Sequence, residues 1–204
     1  MKINKTKFIL TENNFFSETQ EKKKIVLRNS STKDMKFFNG WMLRRNGYYK
    51  KVTQYTVDRD GKVYQHYNPS YYSEFMGTKT LDKETIGITL VNQGWLKKDS
   101  LTNKYKDWVG NIYKGTDVFK KQWRGHFFWA PYTEKQMKVV GELIEKLCEE
   151  YNIEKNSVVI MTPASHGLGR YYEHVLNSIA ASEISGAKGK GPTEEELNSI
   201  EHEE

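Results

Sequence analysis

A tight turn between two β-rich runs places the strongest constraint on the fold of this chain. Residues 52–57 lead into Asp58-Arg59-Asp60-Gly61, and residues 62–67 return from it. An Asp-Gly pair between such runs is a strong signal for an antiparallel hairpin, because glycine readily adopts the positive φ that the turn requires. A third β-rich run, residues 85–92, has the apolar composition of a central strand. The sequence therefore predicts a sheet that contains this hairpin.

Two helical patterns accompany these strands. Residues 34–45 carry apolar side chains at spacings of three and four, which predicts a short helix. Thr133 followed by Gln136 has the spacing of a capping box, which predicts the start of a longer helix. Compact apolar runs at residues 25–27 and 157–161 predict two further strands. The predicted order is thus strand, helix, hairpin, strand, helix, strand.

Other segments define the predicted domain boundaries. Residues 1–24 are expected to be an irregular N-terminal arm, and residues 25–185 the domain itself, ending in a helix over 171–182. Residues 94–131 form a long insert that holds four of the five tryptophans, so we expect this insert to be packed. Residues 186–204 make a Gly/Lys linker and an acidic tail, which is expected to be mobile on its own.

Charge and composition narrow the class of function. The chain of 204 residues has a net charge of +6, although its last 19 residues hold six Glu and two Lys, so the domain is distinctly basic. A basic surface favours polyanionic partners or simply maintains solubility. Nucleic acid is an unlikely partner by this reading, because the chain has no motif of the usual nucleic-acid modules.

Several classes of protein are excluded or disfavoured. No apolar run approaches the roughly 18–20 residues that span a bilayer, so no membrane partner is expected. The N-terminus lacks the apolar core of a signal peptide, so the protein is expected to be cytoplasmic when made. The single cysteine, Cys148, excludes an internal disulfide and a multi-cysteine zinc site.

Two motifs together resemble the zinc-dependent N-acetylmuramoyl-L-alanine amidases, a family that includes phage endolysins and peptidoglycan recognition proteins. They are residues 57–65, with the Asp-Arg-Asp-Gly turn, and residues 85–92, with Ile-Gly-Ile. The resemblance extends over about residues 24–179. It implies an α/β fold with a central mixed β-sheet flanked by helices, here with an aromatic-rich insert. It also implies peptidoglycan as a possible partner, since the family hydrolyses the amide between the muramic acid lactyl group and L-alanine.

The resemblance also places the family's metal site on this sequence, and the residues there are unsuitable. The family holds zinc with two histidines and a third His, Cys or Asp. The first ligand position falls at Arg28, an assisting tyrosine at Thr53, and the late ligands near Thr162 and Arg170. An arginine would repel Zn²⁺ and cannot be deprotonated. We therefore expect no cofactor and no catalytic residues, as in a pseudoenzyme.

One alternative retains a zinc site and an active amidase. His166 and His174 are eight residues apart, close to the spacing of the family's last two ligands. A register slip of four residues would bring them in, with His66 or His126 as a third ligand. Against this alternative, Arg28 still occupies the first ligand position, and His66 is expected to be a surface or cross-strand residue of the hairpin.

These expectations favour a domain that works by binding. The partner would be another protein in an assembly, such as a bacteriophage virion or tail, or peptidoglycan bound without catalysis. The insert supplies aromatic and basic residue types that dominate interface energetics. The alternative for its tryptophans is that they form the core of the domain. The candidate binding residues are Trp95, Trp108, Lys120, Lys121, Trp123 and Arg124.

Overall fold

The structure, a computed structural model, describes residues 1–123 and 125–160. Its main sheet has six strands in the spatial order β1-β4-β3-β5-β2-β10. The strands are β1 (Ile3–Asn4), β2 (Lys24–Asn29), β3 (Tyr55–Val57), β4 (Val63–Gln65), β5 (Thr85–Leu90) and β10 (Val158–Ile160). The predicted helix 171–182, the loop before it and the acidic tail 186–204 lie outside the described residues.

The main sheet is mixed, as predicted. The pairs β10–β2, β2–β5 and β5–β3 are parallel. Strands β3 and β4 pair antiparallel as the hairpin, and β1 pairs parallel with β4. The hairpin turn closes with a hydrogen bond from the Gly61 N–H to the Asp58 carbonyl, 3.0 Å, and Gly61 has a φ of 79°. The predicted hairpin and the central position of β5 are therefore confirmed.

Side-chain alternation along the parallel strands gives the sheet two unlike faces. On one face Ile25, Leu27, Ile86 and Ile88 are fully buried against helix α3 (Glu134–Tyr151). That helix contributes an apolar stripe to the core, including Met137, Val140, Ile144 and Leu147. The residues between them on β2 and β5 point to the opposite face, which we call the site face.

The start of α3 is tied to the sheet. The Thr133 hydroxyl oxygen accepts a hydrogen bond from the Gln136 backbone N–H, 3.1 Å, as the predicted cap requires. The Gln136 side chain is buried and donates instead to the carbonyls of Val57 and Val91, 3.0 and 3.1 Å. Only half of the predicted capping box is therefore present, because sheet carbonyls take the amide that would complete it.

Short helices differ from the prediction in their bounds. The helix expected over 34–45 is α1 (Phe37–Leu43), followed by a 3₁₀ turn at Arg44–Gly47. A six-residue helix, α2 (Lys79–Glu84), precedes β5 and has no counterpart among the predicted elements. Among the described residues, no helix combines the length and the apolarity needed to cross a membrane.

The N-terminal arm is packed onto the domain, although the sequence suggests an irregular segment. Besides supplying β1, the arm buries Lys22, which is 3% exposed. The Lys22 ammonium donates to the carbonyls of Tyr71 and Lys83, 2.9 and 2.7 Å. Burial lowers the pKa of Lys22 to about 7. The arm is thus held by hydrogen bonds to the loop at Tyr71 and to helix α2 at Lys83.

The insert folds into a second, antiparallel sheet. Its strands are β6 (Trp95–Lys98), β7 (Tyr105–Lys106), β8 (Phe119–Trp123) and β9 (His126–Trp129), in the order β7-β6-β9-β8. The Asn92 side chain donates to the Ala130 carbonyl, 2.9 Å, and joins the two ends of the insert. The insert thus buries Leu96 and Trp129, whereas Trp108 stays about half exposed.

Candidate functional site

Arg28 lies on the site face, at the end of a strand in the middle of the main sheet. It is the fifth residue of β2 and pairs in register with Thr89 of β5. Leu27 and Ile88, which precede Arg28 and Thr89 on these strands, are fully buried on the face that packs against α3. The strand therefore cannot rotate to turn the guanidinium to another face. The backbone therefore fixes where the charge sits.

A directed chain of hydrogen bonds supports the guanidinium. Arg28 Nε donates to Thr89 Oγ1, 3.3 Å, and Thr89 Oγ1 lies 2.8 Å from Thr53 Oγ1. The Thr53 hydroxyl donates its one proton to the Tyr55 carbonyl, 3.0 Å. Thr89 must therefore be the donor to Thr53, because each hydroxyl has a single proton. Donation therefore runs in one direction, from Arg28 through Thr89 and Thr53 to the Tyr55 carbonyl. In such a chain the hydrogen bonds strengthen one another.

A second hydrogen bond and two aromatic rings complete the setting of Arg28. Its Nη2 donates to the Lys51 carbonyl, 3.1 Å. Its Cζ lies 5.7 Å from the ring centroids of both Trp41 and Phe75, within the range of cation–π attraction. Burial lowers the pKa of Arg28 from its usual value. The guanidinium nevertheless stays charged, because arginine is not deprotonated in proteins.

Gly87 makes this arrangement possible by having no side chain. A Cβ built on it would lie 2.7 Å from a Phe75 ring carbon and 2.7 Å from the Thr53 methyl group. Such distances are shorter than real contacts between carbon atoms, so any larger residue would displace the ring or the threonine. The glycine of the Ile-Gly-Ile motif is therefore required by close packing; unlike Gly61, it has no positive φ.

The site face carries the Arg28 guanidinium and the hydroxyl groups of Thr89 and Thr53. Arg28 and Thr53, the two predicted positions that the structure describes, are brought together through Thr89. Over residues 1–123 and 125–160 there is no group of three or more His, Cys, Asp or Glu arranged to hold a metal ion. These side chains do not fit the zinc ion of the family, whose ligands are His, Cys or Asp. Thr162, Arg170, His166 and His174 lie outside the described residues.

The two described histidines considered as a third ligand are engaged elsewhere. His66 is fully buried, and its Nδ1 donates to the Phe8 carbonyl at 2.6 Å. Its Nε2 then accepts from the Thr56 hydroxyl at 2.7 Å, so both ring nitrogens are occupied. His126 stacks on Trp95 with 4.2 Å between ring centroids. Of the two alternatives expected for His66, the surface one was wrong, because the N-terminal arm covers the ring. The cross-strand one is confirmed, because the ring bonds Thr56 of β3 and the His66 N–H donates to the Gln54 carbonyl, 2.8 Å.

The insert presents some of its predicted binding residues and buries a neighbouring tryptophan. Trp108 is 54% exposed, and its indole N–H donates to the Ser31 carbonyl, 2.7 Å, so the ring is both accessible and anchored beside β2. Lys120 is exposed and Trp95 half-buried, whereas Trp129, which was not among the candidates, is buried. Lys121 and Trp123 are strand residues of β8, and Arg124 lies outside the described residues.

Comparisons with known proteins agree with this architecture. The sequence model of the N-acetylmuramoyl-L-alanine amidase family matches residues 16–182. A comparison with curated protein sequences gives no significant match.

Similar solved structures include the PlyG catalytic domain, with a TM-score of 0.51, 12% identity and coverage of 95% of this chain and 99% of that one. They also include a mutant endolysin from Bacillus subtilis, with a TM-score of 0.50, 16% identity and coverage of 85% and 87%. A third is the catalytic domain of XlyA, with a TM-score of 0.50, 15% identity and coverage of 85% and 88%. At these identities, the likeness establishes a shared fold.

Proposed function

Because the chain belongs to the N-acetylmuramoyl-L-alanine amidase family, we propose that it is a peptidoglycan-related domain that has kept the family's scaffold and works by binding, without catalysis. The observation that carries this proposal is the setting of Arg28. Arg28, which the resemblance assigns to the first zinc ligand, is a cation that is hydrogen-bonded through Thr89 to Thr53, another of the four assigned positions. A side chain built into such a network is part of the fold, and a metal ion beside it would meet a like charge.

The first test measures metal and hydrolysis together. We expect elemental analysis of the purified full chain to find no stoichiometric zinc. We also expect incubation with purified cell wall and added zinc to release no muropeptides, with an active family member as the positive control. Stoichiometric zinc, together with cell-wall cleavage that is lost in His166→Ala, would instead establish the active amidase.

An Arg28→His variant provides a sharper test of the same proposal. We expect this change alone to give no hydrolysis, because Thr53 and the other predicted positions also lack the family's residues. The variant also removes the donor to Thr89, so its folding must be verified by thermal unfolding. Measurable muropeptide cleavage by the folded variant would refute the assignment of these positions.

A second candidate function is a protein contact in an assembly, such as a phage virion or tail. The insert favours it, because Trp108, Leu101, Val109 and Ile112 are all about half exposed or more, between 49% and 95%. Large exposed apolar side chains in one segment are typical of interaction surfaces. Sedimentation with purified cell wall distinguishes the two proposed functions. A wall-binding module is expected to pellet with the cell wall, whereas an assembly protein is expected to stay in solution.

A further inference from the structure

The insert carries a groove that is both apolar and basic. The groove has a volume of about 580 Å³ and is lined by residues of the β6–β7 turn and of the loop after β7. Its apolar side chains include Trp95, Leu101 and Trp108. Val109 and Ile112, in the same loop as Trp108, are exposed as well. Clustered apolar side chains of this kind indicate a surface that another polypeptide segment covers.

The lysines around this groove carry charge without acidic partners. Lys97 and Lys98 line the groove and are exposed, and Lys104 is exposed in the same β6–β7 turn. Among the described residues, none of these three lysines forms an ion pair. The insert as a whole holds eight Lys and Arg against three Asp and no Glu, so its net charge is +5. The groove therefore favours an occupant that is acidic as well as apolar.

The two carboxylates at the groove are already engaged within the loops. The Asp107 carboxylate is buried and accepts from the Gln93 side chain, 3.1 Å, and from the Asn111 backbone N–H, 2.8 Å. The Asp99 carboxylate pairs with Lys106 and accepts from two backbone N–H groups of its own turn, at 3.0 Å each. These bonds hold both loops in shape, so the groove is preformed and an occupant need not order it.

One segment of the same chain has the chemistry that this groove requires. Residues 193–204, which lie outside the described residues, hold six Glu, no Lys or Arg, and two apolar side chains three positions apart, Leu197 and Ile200. Residues 161–192 connect this segment to the end of β10. A chain of that length can span about 100 Å, against a radius of gyration of about 15 Å for a domain of this size. The insert is therefore within reach, and tethering gives the segment an effective concentration on the order of millimolar.

We propose that the acidic segment, residues 193–204, docks into the insert groove of its own chain. Its glutamates pair with the exposed lysines, and Leu197 and Ile200 cover the apolar side chains beside them. The insert is favoured over the rest of the domain because five of the nine large apolar side chains exposed in the described structure belong to it. The inference goes beyond the proposed function and does not depend on binding to cell wall. A protein partner at the insert would have to displace this segment.

Zero-length cross-linking of the purified full chain tests the proposal. A carbodiimide joins a carboxylate to an amine only when the two groups are in contact, and mass spectrometry identifies the linked residues. We expect most links from residues 193–204 to reach lysines of the insert. Their yield should fall at least about threefold in 1 M NaCl, because salt screens exposed charges. No link from this segment, links mainly to lysines outside the insert, or a yield that salt leaves unchanged would overturn the proposal.

A mixture of unlabelled and isotope-labelled chains shows which copy supplies the segment. We expect every link between residues 193–204 and the insert to join two parts of one chain, at low and at high protein concentration. Links between a labelled and an unlabelled chain would show that a second copy occupies the groove, which would refute docking within the chain.

Two matched leucine substitutions test the apolar part of the groove. Leu101→Ser removes an apolar side chain at the groove, and Leu43→Ser removes one from α1. Both leucines are largely exposed, so we expect neither change to unfold the domain. We expect Leu101→Ser to lower the yield of links to the insert at least about threefold, since the segment loses an apolar contact. Leu43→Ser should leave the yield unchanged, and equal yields in the two variants would refute the assignment of the groove.

Discussion

Acidification provides a quantitative test of how the N-terminal arm buries His66. The ring is neutral in the folded state because its Nδ1 donates to the Phe8 carbonyl and its Nε2 accepts from Thr56. Burial lowers the pKa of His66 to about 4, against 6.5 for an unperturbed histidine. Between these values the unfolded chain binds more protons than the folded one, so acid favours unfolding. The pKa difference of about 2.5 corresponds to about 3 kcal/mol, since one pKa unit is about 1.36 kcal/mol.

The assay is urea unfolding followed by circular dichroism at closely spaced values from pH 7.5 to pH 4. We expect the free energy of unfolding to fall as the pH drops from about 6.5 towards 4, with the His66 contribution approaching about 3 kcal/mol. A His66→Gln variant keeps an amide donor and acceptor but cannot titrate. Its stability should therefore fall less than that of wild type over the same interval, and the difference isolates this one group from the titrating carboxylates.

His126→Gln is the matched control for the loss of an imidazole elsewhere, because His126 stacks on Trp95 at the edge of the insert and is only half-buried. Any change in its pH profile relative to wild type is subtracted from that of His66→Gln. The reasoning is wrong if the profiles of wild type and His66→Gln are parallel from pH 6.5 to pH 4. That result would mean that the folded protein accommodates a charged ring and that the arm does not seal it from water.

Two other substitutions test the packing of the site face and of the arm. Gly87→Ala is expected to destabilise the fold by about 1–3 kcal/mol, because its methyl group would collide with Phe75. Gly40→Ala in α1 is the control, because a methyl group there would meet nothing closer than 3.8 Å, and we expect it to be neutral or slightly stabilising. Equal shifts in melting temperature for Gly87→Ala and Gly40→Ala would contradict the close-packing explanation. Burial lowers the pKa of Lys22 to about 7 in the folded chain, against 10.5 for an unperturbed lysine. Between about pH 7 and pH 10.5 the folded chain therefore binds fewer protons than the unfolded chain. The free energy of unfolding should rise with pH over that interval, by at most about 5 kcal/mol. A Lys22→Met variant should lose this rise in urea unfolding, and an unchanged rise would show that Lys22 is not the group responsible.

The sequence predicts the scaffold well because its signals are local. The turn that ends in Gly61, the apolar runs of β2 and β5, and the cap at Thr133 each depend on residues within a few positions of one another. Such signals fix where strands and helices begin, although the bounds of α1 shifted by a few residues. The resemblance then supplied the topology that joins them.

The site followed the sequence only in part. Arg28 and Thr53 were placed by the resemblance to the family, which assigns site positions along the chain. The residue that connects them, Thr89, gave no signal, because it lies in a run that indicates only a buried strand.

What the sequence by itself determined is therefore the order of strands and helices; through the resemblance it also predicts that the charged side chain of Arg28 takes the place of a zinc ligand. Only the tertiary structure decided what surrounds that charge, because Arg28 and Thr89 are 61 residues apart and meet only when β2 pairs with β5. The burial of His66 likewise depends on Phe8, 58 residues away. Contacts between distant segments are set by packing of the whole chain, and no local pattern encodes them.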